Sequence, residues 1–551
     1  MNNNGPMLNA YPDSVGGTLS DIVGFLNRPE MKDVFQSFYI LPSIFNTDLD
    51  HGFSVIDYGL NELLASRQDL EDLKAMGIDL KLDFILNHAS VLSHPFQDLI
   101  KNGDKSKYRD FFIDWNKFWA GHGTMTEEGY IQPDPELIQN MFFRKPGLPF
   151  LMVYMPDGNK VPYWNTFYQE VHCDPIDAQD LMHVMDIQYS SAEVLADVVN
   201  QALKAGKKFS EISFGRFQKY QPKTMELLKS RIKYLGQMDL NVNSPLVWEY
   251  YEDTLKTLAE YGAKIVRLDA FAYTSKKPGR ENFLNDPETW EILEKVQGLA
   301  DQYHLKLLPE IHDSYQKGTY KVLAQKGYLT YDFFLPGLII DALERRNGDI
   351  LAKWAHELVD NNIRTVNMLG CHDGIPLLDL KGLIPDEQIE TLRDTIIGRG
   401  GLVKNLHGQK NMYYQVNATY YSALGEDDQK MLLARALQLF MPGKPQIWYL
   451  DLFAGKNDYA AVANAADGGH KEINRSNLSC EQIEQLIKKD VVSKQIEMIK
   501  FRNSSPAFGY EAEMTLSHKN GQLEIIWRNH GCEARLKVDL TTYQFEISDL
   551  N

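Results

Sequence analysis

Arg267 and Asp269 stand two positions apart near the end of AKIVRLDAF, residues 263–271. In an extended chain, residues two apart point to the same side. A buried charge is costly unless it is paired or used, so an arginine and an aspartate aimed together at a strand end need a chemical reason. Three other apolar runs also end in polar residues. DFILNH (83–88) ends in Asn87-His88, LLPEIH (307–312) carries Glu310 and His312, and CHD (371–373) ends in His372-Asp373. Arg267 would lower the pKa of Asp269 and keep it ionised, which suits a nucleophile. Glu310 follows Leu307-Leu308-Pro309, an apolar setting that favours the protonated form and suits a general acid. One ionised and one protonated carboxyl is the pair that retaining cleavage of a glycosidic bond uses. Capping salt bridges would explain any one of these residues alone. Three clustered carboxylates could instead hold a metal, but an arginine in their midst argues against it.

Something must bring these four strand ends together. Eight β-rich apolar runs alternate with amphipathic stretches: MLNAY (7–11), 37–43, 80–88, 263–271, 305–312, 327–336, 364–373 and 444–450. Such alternation predicts parallel βα units. Eight of them predict an α/β chain folded as a (β/α)8 TIM barrel, whose C-terminal strand ends share one face. The clearest helix is 245–262, where Leu246, Tyr250, Leu255 and Leu258 keep helical spacing and Gly262 can end it. Two gaps exceed ordinary βα loops and predict inserted subdomains. The expected division is barrel over 1–88, insertion over 89–236, barrel over 237–373, a second insertion over 374–428, barrel over 429–508 and a C-terminal β domain over 509–551. In the last, Asn520-Gly521 between alternating residues predicts a hairpin.

The 551 residues carry 57 Lys and Arg against 75 Asp and Glu, a net charge of −18. This disfavours a nucleic-acid binder and a partner of anionic membranes. Four scattered cysteines make neither a disulfide framework nor a zinc ribbon. The start, MNNNGPMLNAYPDS, lacks a charged n-region and a long apolar run, so a cytoplasmic location is expected.

DFILNH, IVRLDAFAY (265–273), LLPEIH and CHD stand in the order of the four short motifs of the α-amylase superfamily, and QMDLN (237–241) is similar to its fifth. That resemblance implies Asp269 as nucleophile, Glu310 as general acid/base and Asp373 as transition-state stabiliser. YPDSVGG (11–17), DHGFSVIDY (50–58), FFRKPGLPF (142–150), YWNTF (163–167), YQVNATYYSALGEDDQK (414–430), FAGKND (453–458) and EINR (472–475) resemble the sucrose phosphorylase family over nearly the whole chain. This family includes relatives acting on sucrose 6′-phosphate, glucosylglycerol or glucosylglycerate. The resemblance implies transfer of a glucosyl group to phosphate, release of α-glucose 1-phosphate, and no metal or other cofactor. It further implies that Asp50, His88, His372 and Arg475 grip the glucosyl hydroxyls and that Phe53 lies beside the ring. Arg144 would offer a cation to phosphate or a phosphorylated acceptor, with Tyr273, His312 and Gln415 nearby.

Two residues depart from the family pattern. The residue three before Asp373 is Gly370, where the family places aspartate, and Met412 stands where an aspartate is expected near the fructosyl site. A third departure is an extra segment, 168–236, with predicted helices over 191–206 and 222–236. From Lys204 to Gly236 it holds nine Lys and Arg against two Glu. It reads either as a packing element that would suit a homodimer or as a cationic wall facing an anionic acceptor. The partners expected are a small sugar substrate and inorganic phosphate. The donor expected is sucrose or sucrose 6′-phosphate. The alternatives are a phosphorylase of another small α-glucoside, a hydrolase or transglucosidase, and a barrel that only binds; the last would be expected to have lost one of the three carboxylates.

Overall fold

The computed structural model describes residues 4–144, 147–405, 413–465 and 469–550, without the side chains at 50, 210, 404, 405, 413 and 414. Eight strands form one parallel sheet: β1 (Met7–Ala10), β2 (Ser37–Ile40), β3 (Asp79–Ile85), β4 (Ala263–Asp269), β5 (Lys306–Pro309), β6 (Thr330–Asp332), β7 (Thr365–Met368) and β8 (Lys444–Trp448). Their order is β5-β4-β3-β2-β1-β8-β7-β6, which is chain order run round a circle. Leu308 of β5 and Tyr331 of β6 pack in one buried cluster and join the two ends. The result is the expected (β/α)8 barrel.

The two faces of each strand do different work. Leu82, Phe84, Val266 and Leu268 alternate outward and share a core with Leu255 and Leu258 of the helix Pro245–Glu260 and with Leu293 and Val296 of Glu288–Gln302. The residues between them, Lys81, Asp83 and Arg267, are buried inside the barrel. The β3–β4 register sets Arg267 beside Asp83, and the β2–β3 register sets Tyr39 beside Lys81. Deeper in the barrel, the Lys81 ammonium donates to Gln446 Oε1 at 2.7 Å, contacts the Tyr331 hydroxyl and lies 3.8 Å from the Tyr39 ring centre. One amine thus ties β3 to β6 and β8.

Several boundaries differ from the sequence reading. β6 covers only Thr330–Asp332, because Asp332 accepts the amides of Phe334 and Leu335 at 3.2 and 3.0 Å and starts the helix Leu335–Arg345. In the extra segment, helices Tyr189–Lys204 and Gln221–Ser230 pack Leu195, Val199 and Leu228 into a small core of their own. The second helix stops at Ser230 rather than running to 236. Ile232–Asp239 is instead a strand, hydrogen-bonded on one side to Gln169–Cys173 and on the other to His88–Ser90. Pairing of 232–236 with Gln169–Cys173 outweighs local helix propensity there. Between β7 and β8, Ile375–Pro376, Leu402–Asn405 and Tyr413–Asn417 form a small sheet, and Asp386–Gly398 is a helix.

The C-terminal strands β9 (Glu513–Lys519), β10 (Gln522–Asn529), β11 (Cys532–Asp539) and β12 (Gln544–Leu550) form an antiparallel sheet. Lys519 pairs with Gln522 across the predicted turn. Asn520 and Gly521 have φ of 53° and 79°, the left-handed pair that a two-residue hairpin requires. No helix among the described residues is long and apolar enough to cross a membrane.

Candidate active site

The Arg267 guanidinium is the hub of the barrel's C-terminal mouth. One terminal nitrogen donates to Asp83 Oδ1 at 2.6 Å and Asp269 Oδ1 at 2.9 Å, and the other lies 2.5 Å from Glu310 Oε1. Asp83 also accepts from the Tyr39 hydroxyl at 2.8 Å, which braces it from below. A single planar cation therefore holds two carboxylates at the mouth and a third beneath them. Arginine suits this because its fork is rigid and always charged.

The charge distribution reverses both charge states expected from the sequence, Asp269 held ionised by Arg267 and Glu310 kept protonated by apolar neighbours. Glu310 does not sit in an apolar pocket, because the side chain leaves the Leu307-Leu308 run and turns toward Arg267 and His312. Burial pushes Glu310 up, but the Arg267 charge, with His312, outweighs it and lowers the carboxyl. Asp269 is raised, first by burial and then by the carboxylates of Glu310, Asp83 and Asp373, with Arg267 opposing. Glu310 is the more acidic of the two.

Asp373 lies beyond the end of β7. Its Oδ2 is 3.2 Å from His372 Nε2, its Oδ1 contacts the Lys471 ammonium, and Arg475 is 3.9 Å away. These three groups hold Asp373 well below the usual carboxylate range although burial works the other way. His372 is lowered by burial, with Asp373 opposing. Among the described residues His372 Nδ1 has no hydrogen-bond partner. Buried polar atoms are seldom left so.

Of the other expected residues, Phe53, His88, Arg475, Tyr273 and His312 contact this centre or its neighbours. Phe53 stacks on His372 at 5.0 Å and 16°, and the Arg267 guanidinium lies 5.4 Å from its ring centre. His88 Nε2 reaches the Phe53 carbonyl at 3.0 Å. Arg475 donates to the His372 carbonyl at 3.0 Å. Arg144 lies 5.6 Å from the Phe167 ring centre and 5.9 Å from that of Tyr273. Burial raises the Tyr273 phenol and Arg144 opposes the rise. His312 stacks on Phe333 at 3.8 Å. Gln415 is buried in the strand Tyr413–Asn417, paired with Pro376. Asp50 begins a short 3-10 turn, but its side chain is outside the described residues, as are Lys145 and Met412. No group of three or more His, Cys, Asp and Glu among the described residues is arranged to hold a metal ion.

No protein-family model matches the chain. It is 47% identical over 551 residues to the sucrose 6(F)-phosphate phosphorylase of Ilumatobacter coccineus, covering 98% of this chain and 95% of that one. It is 33% identical to the sucrose 6(F)-phosphate phosphorylase of Thermoanaerobacterium thermosaccharolyticum, covering 98% and 96%. The crystal structure of sucrose 6F-phosphate phosphorylase from Thermoanaerobacter thermosaccharolyticum superposes with a TM-score of 0.80 at 32% identity, over 100% of this chain and 96% of that one. The chain belongs to the sucrose phosphorylase family of the α-amylase superfamily. It is a glucoside phosphorylase of that family.

Within the family frame, the departure at Gly370 has a structural reason. A β-carbon at Gly370 would lie 2.7 Å from Asp451 Oδ2. Asp451 reaches in from beyond β8 and accepts the Gly370 amide at 3.0 Å and the Tyr420 amide at 3.3 Å. A carboxylate from position 451 thus occupies the space that a side chain at position 370 would need. Sequence reasoning did not single out Asp451, Asp83, Lys471, Asp379 or Lys276. Asp83 was within reach, because the period of two that paired Arg267 with Asp269 also aligns Lys81 with Asp83. Lys471 falls just before the EINR motif. Asp451 and Asp379 follow no local pattern.

Proposed function

We propose that the protein transfers the glucosyl group of sucrose 6′-phosphate to inorganic phosphate, through a covalent β-glucosyl ester on Asp269, and releases α-glucose 1-phosphate and fructose 6-phosphate. The observation that carries the mechanism is the Arg267 guanidinium shared between Asp269 and Glu310. Two carboxylates on the terminal nitrogens of one guanidinium fit the retaining separation of about 5–5.5 Å rather than the inverting separation of about 6.5–9.5 Å.

The glucosyl ring sits against Phe53 with its hydroxyls on His88, His372 and Arg475, and Asp50 completes the grip. Asp269 attacks the anomeric carbon as the bond to the fructosyl oxygen breaks. Glu310 gives its proton to that oxygen. In the free protein the proton favours Asp269 over Glu310, so donor binding must shift it across the shared cation. The leaving oxygen draws it to Glu310, while the anomeric carbon draws the charge to Asp269. Asp373, kept ionised by His372, Lys471 and Arg475, faces the positive charge that develops on the ring. Fructose 6-phosphate leaves and phosphate enters on the same face. A phosphate oxygen attacks the anomeric carbon, the ester to Asp269 breaks, and Glu310 takes the proton the phosphate sheds. Two inversions give net retention.

The choice of donor rests on the two sucrose 6(F)-phosphate relatives. The Arg144 cation beside Tyr273 also suits a phosphorylated leaving group. The test is to incubate the protein with sucrose 6′-phosphate, sucrose, glucosylglycerol and glucosylglycerate, each with and without phosphate. Phosphate-dependent glucose 1-phosphate fastest from sucrose 6′-phosphate supports the reading. Product from another donor moves the assignment to that donor, and glucose at a rate indifferent to phosphate overturns phosphorolysis.

A further inference from the structure

His312 sits beside Glu310, and its surroundings are built for a charge. Its Nε2 is 3.7 Å from Glu310 Oε1 and its Nδ1 is 3.3 Å from Asp379 Oδ2. Phe333 stacks flat on the ring at 3.8 Å and 21°. Asp379 is 1% exposed, so its carboxylate cannot turn to solvent. It lies in the short turn Leu378–Leu380 beyond β7, while His312 lies beyond β5. Packing fixes the ring, and a carboxylate faces each of its nitrogens.

We propose that Asp379 is a positioning residue that fixes His312 as a cation beside Glu310, and that this cation favours phosphate over water as the glucosyl acceptor. The proposal rests on the phosphorolytic reading above and adds the residue that tilts the partition. The aspartate accepts a hydrogen bond from the Nδ1 N–H and so holds the Nε2 N–H on the Glu310 side of the ring, where the acceptor must come. Water gains little from a fixed positive charge there, whereas a phosphate dianion gains a charge-assisted hydrogen bond. When phosphate attacks, the bond from the anomeric carbon to phosphate forms as the ester to Asp269 breaks. The Asp269 carboxylate is restored and His312 keeps its proton throughout.

The groups facing His312 from every side agree with a cation. Burial would lower the imidazole, but Asp379 and Glu310 outweigh it and bring it to about 9. Burial raises Asp379, and His312 holds that rise back. Asp313, the nearest further carboxylate to Asp379, is tied to the Thr319 hydroxyl at 2.6 Å and to Lys317 at 3.2 Å. With its pKa raised, His312 is charged below about pH 9 and loses its charge above it.

The test compares the native protein with Asp379→Asn, whose amide oxygen can still accept the Nδ1 proton without the charge. Removing a charge-assisted hydrogen bond should raise the KM for phosphate roughly ten- to a hundredfold. The ratio of glucose 1-phosphate to free glucose should fall with it. The basic limb of the phosphate-dependent rate should move from about pH 9 toward the ordinary histidine range. A purely structural role for Asp379 would lower all rates together and leave both partition and pH limb in place, which overturns the proposal. Histidine titration by NMR in the native protein gives a second reading that needs no variant: a His312 midpoint near the ordinary value also overturns it. If the native protein makes no glucose 1-phosphate, the proposed function fails and takes this inference with it. If it does, and Asp379→Asn leaves the partition unmoved, the inference alone fails.

Discussion

Position 370 offers a sharp test of how the catalytic loop is held. Gly370→Asp restores the family's usual residue, yet it places a β-carbon 2.7 Å from Asp451 Oδ2 and 3.4 Å from its Cγ. Asp451 cannot swing away without giving up the Gly370 and Tyr420 amides. Overpacking of this kind costs about 1–3 kcal/mol, and two carboxylates in one buried space add repulsion. Asp451→Gly alone strands those two amides, at about 1–3 kcal/mol each. The double variant returns a single carboxylate to the same space from the other side. Chemical denaturation of all four proteins should show the double variant more stable than the sum of the single losses predicts, by about 2–3 kcal/mol. Its turnover should recover as well, because the loop carries His372 and Asp373. Strict additivity, or a Gly370→Asp protein as stable as the native one, would refute the reading that the side chains at 370 and 451 compete for one space.

Further outcomes follow from the same contacts. The buried Lys276 ammonium is 2.8 Å from Asp239 Oδ2, 3.0 Å from Asn87 Oδ1 and 2.7 Å from the Tyr273 carbonyl. Removing one partner of a buried pair costs about 3–5 kcal/mol. Lys276→Met should therefore lower the denaturation midpoint strongly, and adding Asp239→Asn should recover part of the loss. Lys471→Met removes one of the cations that hold Asp373 down. Burial then raises that carboxyl, so the acid limb of the pH–rate profile should move to higher pH, as a stopped assay across the acidic range would read. In Tyr39→Phe, Asp83 loses the 2.8 Å hydrogen bond that braces it under Arg267. The expected result is a lower kcat with the KM for donor little changed.

Much of the barrel was legible because its signals are periodic. Eight apolar runs separated by amphipathic stretches leave few topologies open, and the Asn520-Gly521 turn specified its hairpin. Alternation also placed Arg267 and Asp269 on one face, and the structure joins them at 2.9 Å. The charge state of Glu310 was not legible, since it depends on a guanidinium from the neighbouring strand and an imidazole that turns back toward it. Asp379 and Asp451 reach their partners from short helical turns beyond other strands, 67 and 81 residues away in sequence. Contacts of that kind leave no mark on local periodicity. The strand Ile232–Asp239 was read in part as helix because its partners, His88–Ser90 and Gln169–Cys173, are remote in the chain.

The most direct test of the central claim is to trap the glucosyl-enzyme. Glu310→Gln should slow release of the ester when an activated α-glucosyl donor, which needs no acid assistance, is supplied without phosphate. Quenching and peptide mass mapping should then find one hexosyl group on the peptide containing Asp269, and adding phosphate should discharge it as α-glucose 1-phosphate. A hexosyl group on Asp83, Asp373 or Glu310, or turnover with no adduct and an inverted product, would contradict the account.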